Sequence, residues 1–267
     1  MKKLRLLIAI LLVAFGVRSA MAWACFGHGA IAYVAEQHLT PEAKEKCRQY
    51  LGHSLPWYAS WMDHWRAVPP FCHTNMWHGI KSDEKGKLRW DISGERANGQ
   101  AMIQVKRIAA EMQEYRKMPD SLVRQNIIYL IHSTADMHCP VHIQFPKSVY
   151  PHYRYSLKRN GKKYSMHSFW DAAPAFTRKG WTYEKYAEEV DVLTPKQIKK
   201  IQRGSYDSWG KDILKKGHLA YKITPADTDV AKMSAKDKAA ALALADEMAM
   251  KAAYRLAYIL NSIFDDK

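Results

Sequence analysis

Cysteine is scarce in this chain and acid is in deficit. Four cysteines occur among 267 residues and none forms a C-x-x-C pair, so a cysteine zinc site is not indicated. No stretch is apolar for long enough to cross a bilayer as a helix: the run over residues 6–17 falls well short of the ~20 residues a span requires. There is no internal repeat, no low-complexity segment and no obvious linker, which excludes solenoids and argues for one domain with a sizeable core. Strand signals are few. Asp and Glu number 26 against 41 Lys and Arg, a formal net charge of +15. Such a chain is drawn to polyanions, whether nucleic acid, anionic lipid or polysaccharide; the competing reading is solubility with no partner.

The leader carries part of that charge. Lys2, Lys3 and Arg5 precede the apolar run, and Ala20-Met21-Ala22 ends it. A basic start, a short apolar stretch and an A-x-A ending read as a signal peptide over residues 1–22, cut after Ala22. Residues 23–267 would then form a periplasmic or secreted domain. A lipoprotein cut before Cys25 is disfavoured, because Ala22-Trp23-Ala24 is a poor match to the stretch such processing prefers. In an oxidising compartment Cys25, Cys47, Cys72 and Cys139 suggest two disulfides, with three possible pairings.

What the chain does have is helix. Thr40-Pro41 is an N-cap with proline at the first helical position. Residues 98–117 carry Met102, Val105, Ile108, Ala109 and Met112 at helical spacing, and 121–137 is strongly apolar. Thr194-Pro195-Lys196-Gln197 is a capping box, and Ser234 with Asp237 opens a long alanine-rich helix to 264. Asn160-Gly161 is a two-residue hairpin turn. Residues 67–96 read as loop with one short helix at most. The expected fold class is all-α, a single multi-helix domain with one small β-hairpin.

Histidine is the second abundance, with twelve in the chain. His132 and Asp136 stand four apart and share a helix face; His167 and Asp171 repeat that spacing; His142 follows just beyond Pro140. Imidazole and carboxylate at i, i+4 can share one metal ion. The alternative is a hydrogen-bonded pair that stiffens a helix. An apolar helix is a costly place for an unpaired carboxylate, which a metal or a cationic partner would offset. Asp63 and His78 are the remaining candidates.

Taken in order, Trp23-x-x-x-x-His28, Trp61-Met62-Asp63, Trp77-His78, His132-x-x-x-Asp136-x-x-x-x-x-His142 and His167-Ser168-Phe169-Trp170-Asp171 resemble the zinc-dependent single-strand nucleases of the S1/P1 type. Bacterial phospholipases C share that scaffold. The resemblance covers residues 23–173 and implies the phospholipase C/P1 nuclease fold. It also implies three Zn2+ ions. Asp63, His78, His132 and Asp136 would hold the first. Trp23, through its free amine and backbone carbonyl oxygen, would hold the second with His28 and Asp136, and Asp136 would bridge the two. His142, His167 and Asp171 would hold the third. An α-amine has a pKa near 8, so a metal displaces its proton near neutrality, and cleavage after Ala22 would complete the site.

The resemblance further implies hydrolysis of single-stranded RNA or DNA to 5′-phosphate products, with possible 3′-nucleotidase activity, by water activated between two zinc ions. Arg66 would offset charge in the transition state, next to the catalytic carboxylates Asp63 and Asp136. Two departures bear on substrate. Gly79 stands where the nucleases carry an aromatic base platform, leaving Trp77, Tyr150 or Tyr153 as substitutes, and Ser165 stands where they tend to have asparagine. Asp171 follows the nucleases, where the phospholipases use glutamate. The alternatives are a phospholipase C acting on lipid head groups and a non-catalytic zinc- or polyanion-binding protein. His138 is a candidate hydrogen-bond partner for a metal ligand. A monomer is expected, without a stable membrane span.

Overall fold

The computed structural model describes residues 23–94, 97–150 and 155–265; the leader and its cut lie outside them. Among these residues, helices dominate and the only strands are two short pairs. The helices are α1 (Ala24–Gln37), α2 (Pro41–Leu51), α3 (Leu55–Tyr58), α4 (Trp61–Trp65), α5 (Ala101–Glu111), α6 (Asp120–His138), α7 (Met166–Asp171), α8 (Tyr183–Val190), α9 (Pro195–Gln202), α10 (Tyr206–Ile223) and α11 (Ala235–Phe264). The all-α expectation holds.

Local chemistry sets the boundaries. Thr40 caps α2 by accepting from the Ala43 N–H, and the capping box at Thr194 is formed with Pro195 in the first turn of α9. Ser234 accepts from the Asp237 N–H to open α11. The segment read as one helix over 98–117 is divided: α5 ends at Glu111 and a tighter 3₁₀ turn, Met112–Lys117, follows, with Glu114 off helical geometry. The turn at Asn160-Gly161, both with positive φ, joins β3 (Ser156–Arg159) to β4 (Lys162–Ser165) in an antiparallel hairpin.

The long helix α11 packs against α1, α2, α6, α9 and α10 and forms the spine of the core. α6 lies inside: every residue from Asn126 to His138 is buried. The region read as loop holds the short helix, a 3₁₀ segment over Phe71–Trp77, and also β1 (Ile80–Lys81), which pairs in parallel with β2 (Ile143–Gln144). That pairing ties the chain just after His78 to the chain just after His142.

The two disulfides expected from composition do not form; all four cysteines are free. Cys47 is buried on the inner face of α2 and Cys139 at the end of α6, while Cys25 and Cys72 are exposed. The Cys139 thiol has a carboxylate for its partner instead, that of Asp171.

Candidate metal centre

The centre is built on the last two turns of α6. His132 and Asp136 project from one face, as the i, i+4 spacing requires. The helix stops because Cys139 turns to extended backbone ahead of Pro140. Its final carbonyls therefore need donors from elsewhere. The buried indole of Trp23 supplies one, donating from Nε1 to the Ala135 carbonyl at 3.0 Å. This pins Trp23 beside Asp136. Gly27 leaves the room: a Cβ there would stand 3.1 Å from the Trp23 Cβ.

Four imidazoles surround the Asp136 carboxylate. His78 Nδ1 lies 2.7 Å and His132 Nε2 3.3 Å from Oδ2, while His142 Nδ1 lies 3.3 Å and His28 Nε2 3.4 Å from Oδ1. His28 also stacks on His132 with centroids 4.3 Å apart. His132 Nδ1 donates to the Ala59 carbonyl at 2.7 Å, which fixes its tautomer and leaves Nε2 as the coordinating atom. Asp63, from α4, brings Oδ1 to 3.7 Å from His78 Nδ1 and 3.9 Å from His132 Nε2. Arg66 Nη1 stands 3.5 Å from the same oxygen, with the guanidinium partly exposed.

A second grouping adjoins the first. His142 Nε2 is 2.9 Å from His167 Nε2 and 3.6 Å from Asp171 Oδ1, and His167 Nε2 is 3.0 Å from Asp171 Oδ2. Ser165 caps the helix α7 that carries both His167 and Asp171, by accepting from the Ser168 N–H.

The buried groups perturb one another strongly. Burial alone would raise the Asp136 carboxyl, but His142 and His132 outweigh it and hold it well below the usual carboxylate range. Burial alone would lower His142, but the Asp136 carboxylate beside it holds it well above its ordinary value. At His78 burial wins over Asp136 and pulls the imidazole down to about 4. Several buried polar atoms find no hydrogen bond: both nitrogens of His28, both oxygens of Asp63, Asp136 Oδ1, His142 Nδ1 and Asp171 Oδ2. Orphaned atoms of this kind are costly in a protein interior, and here they converge. The sets His28–Asp63–His132, His78–His132–Asp136 and Cys139–His142–Asp171 each bring ligand atoms within 4.8 Å of one another. Imidazole and carboxylate donors at such separations fit zinc.

All nine residues expected as ligands therefore meet in one region, Trp23 through the anchoring of its ring. Three other expectations change. His138 does not support a ligand: its Nδ1 bonds to the Thr134 carbonyl and its Nε2 faces Arg255 Nη1 at 2.9 Å, away from Asp136. Trp77 is buried, and half-buried Tyr150 has one face stacked on Tyr221 at 4.1 Å; Tyr153 lies outside the described residues. Gly79 is a packing requirement, because a Cβ there would stand 2.4 Å from the His142 carbonyl oxygen where β1 joins β2.

The aromatic surface lies elsewhere. Trp61 and Trp65 stack at 5.8 Å, with Phe71 edge-on to both at 4.8 and 6.1 Å. Trp65 is 42% exposed. Trp61 and Trp65 share with Asp63 the short helix α4, which Arg66 follows directly. Two features escaped the sequence reading, this aromatic group and Cys139. The Trp-x-x-x-Trp spacing was a signal for the first; nothing local marked the second.

Similarity to known proteins agrees with the geometry. The family model described as S1/P1 Nuclease matches residues 23–265. Nuclease P1 of Penicillium citrinum is 27% identical over 213 residues, 76% of this chain and 76% of that protein. Nuclease PA3 of a Penicillium species is 24% identical over the same coverage, and nuclease S1 of Aspergillus oryzae is 21% identical over 70% of this chain and 67% of its own. With the family match running from the first described residue to the last helix, the chain belongs to the S1/P1 nuclease family and is an enzyme of that hydrolase class.

Proposed function

We propose that this protein is an exported zinc phosphodiesterase that cuts single-stranded RNA or DNA to 5′-phosphate products and removes 3′-phosphates from nucleotides. The observation that carries the reading is the buried Asp136 carboxylate, held among His28, His78, His132 and His142 with orphaned donor atoms on every side. Asp63, His78, His132 and Asp136 would hold one zinc ion, Trp23, His28 and Asp136 a second, and His142, His167 and Asp171 a third. Bound zinc supplies an activated water at neutral pH and a Lewis acid for phosphoryl oxygen.

The chain's own residues do the rest. Asp136, with imidazoles beside both of its carboxylate oxygens, would serve two of these ligand sets. Arg66, oriented by Asp63, offers a fork of donors to phosphate oxygens as charge builds on them. The Trp61–Trp65 stack gives a base a face beside that arginine, at about 1–3 kcal/mol per stacked base. The net positive charge favours a polyanion at every stage.

The test is hydrolysis of single-stranded RNA by protein beginning at Trp23, loaded with zinc and then treated with chelator. Cleavage lost to chelator and restored by zinc is expected. A zinc-loaded protein that leaves RNA and DNA intact but releases head groups from phosphatidylcholine vesicles would overturn the nuclease reading.

A further inference from the structure

Cys139 caps the end of α6, three residues after Asp136 and three before His142, and is fully buried. Its thiol donates to Asp171 Oδ1 at 3.4 Å. The same oxygen is 3.6 Å from His142 Nε2, and Asp171 Oδ2 is 3.0 Å from His167 Nε2. Asp171 Oδ2 and His142 Nδ1 are buried with no hydrogen bond. Ligand atoms of Cys139, His142 and Asp171 all fall within 4.8 Å of one another. Sulfur and oxygen bound to one tetrahedral zinc at ordinary bond lengths stand about 3.6 Å apart. The Cys139–Asp171 separation is close to that, so the thiol is already where a ligand would be.

We propose that Cys139 is a fourth protein ligand of the metal held by His142, His167 and Asp171. This rests on the reading that those three residues bind a metal. Thiolate, not thiol, is the coordinating form. Until a cation arrives the buried sulfur keeps its proton and shares it with Asp171; on binding, the sulfur–metal bond forms and that proton leaves to solvent. The position then differs from the other two in kind. They offer only nitrogen and oxygen, whereas a thiolate favours zinc over magnesium, calcium or manganese. The third ion would be the one most firmly retained.

Cobalt(II) reports directly on sulfur ligation. Metal-free protein beginning at Trp23 is titrated with cobalt(II) and its spectrum recorded. A thiolate-to-cobalt charge-transfer band in the near ultraviolet is expected, saturating with one of the bound ions and absent from Cys139→Ser. In zinc-loaded protein, Cys139→Ser should release one ion to chelator at least about tenfold faster than the parent. Zinc K-edge absorption on the parent protein needs no variant, and sulfur at about 2.3 Å is expected, in the ratio of one sulfur to the three zinc ions. Full cobalt occupancy without the band, or zinc with no sulfur neighbour, would overturn the proposal and leave Cys139 as a hydrogen-bond donor to Asp171. Failure to bind cobalt at all would overturn the metal reading itself, a separable result.

Discussion

Arg66 and Gly79 border the candidate site in opposite ways, one with a charged side chain and one with no side chain at all. Arg66 Nη1 lies 3.5 Å from the buried Asp63 carboxylate yet its guanidinium reaches solvent. Arg66→Ala is expected to lower kcat on single-stranded RNA by about 10²–10³-fold with little change in KM, the loss typical of one transition-state donor. Zinc content measured alongside should be unchanged; a matching loss of zinc would mean that Arg66 only holds Asp63 in place. At Gly79 the nearest obstacle to a Cβ is backbone, the His142 carbonyl oxygen at 2.4 Å, and backbone cannot rotate away. Gly79→Ala should therefore push β1 off β2 and cost about 1–3 kcal/mol in urea unfolding, with weaker zinc retention because His78 and His142 flank that pairing. An alanine variant as stable as the parent would show that the strands tolerate the gap.

Two elements, α10 and α11, are joined by charge behind the end of α6. Asp212 accepts from Lys251 and Arg255, Lys251 and Lys216 meet Glu247, and Arg255 reaches His138. Burial alone would raise the Asp212 carboxyl, but Lys251 and Arg255 hold it below its ordinary value. The folded carboxyl thus ionises at lower pH than in the unfolded chain. Its contribution is complete above about pH 4 and fades as pH falls through the folded value. Asp212→Asn is expected to lose about 1–2 kcal/mol at pH 7, the partial exposure of the pair limiting the effect, and to converge on the parent as pH falls through the folded value. Urea titrations from pH 7 downward check it; a gap that does not narrow as pH falls would point to packing rather than charge. The same elements explain the place of His138. Two residues on from Asp136 in a helix is about 200°, just over half a turn, so its ring meets α11 and not the candidate centre.

Across the whole molecule, the candidate site draws on residues from Trp23 to Asp171 and on the packing that brings them together. Trp23 is sealed into the core by its indole, on the element that bears Asp136. Protein left with extra residues ahead of Trp23 would offer an amide in place of an amine. It should bind zinc at the His28–Asp136 position at least about tenfold more weakly, read by zinc titration against protein cut at Trp23. Equal zinc content in the two forms would remove the terminus from the ligand set. Among the described residues no helix is long and apolar enough to cross a membrane.

By itself, the sequence determined what lies within a few residues along the chain: the caps at Thr40, Thr194 and Ser234, the Asn160-Gly161 turn, the helical stripes, and the i, i+4 pairs His132–Asp136 and His167–Asp171. The order of nine candidate ligands was legible too, through its resemblance to a family. The kink at Met112, the β1–β2 pairing, the aromatic group at Trp61, Trp65 and Phe71, the free thiols and the place of Cys139 beside Asp171 were not. Each depends on which residues distant in sequence become neighbours. That is decided when α6 is buried among the other helices and β1 is drawn against β2, because hydrophobic packing fixes those distances and no local pattern encodes them.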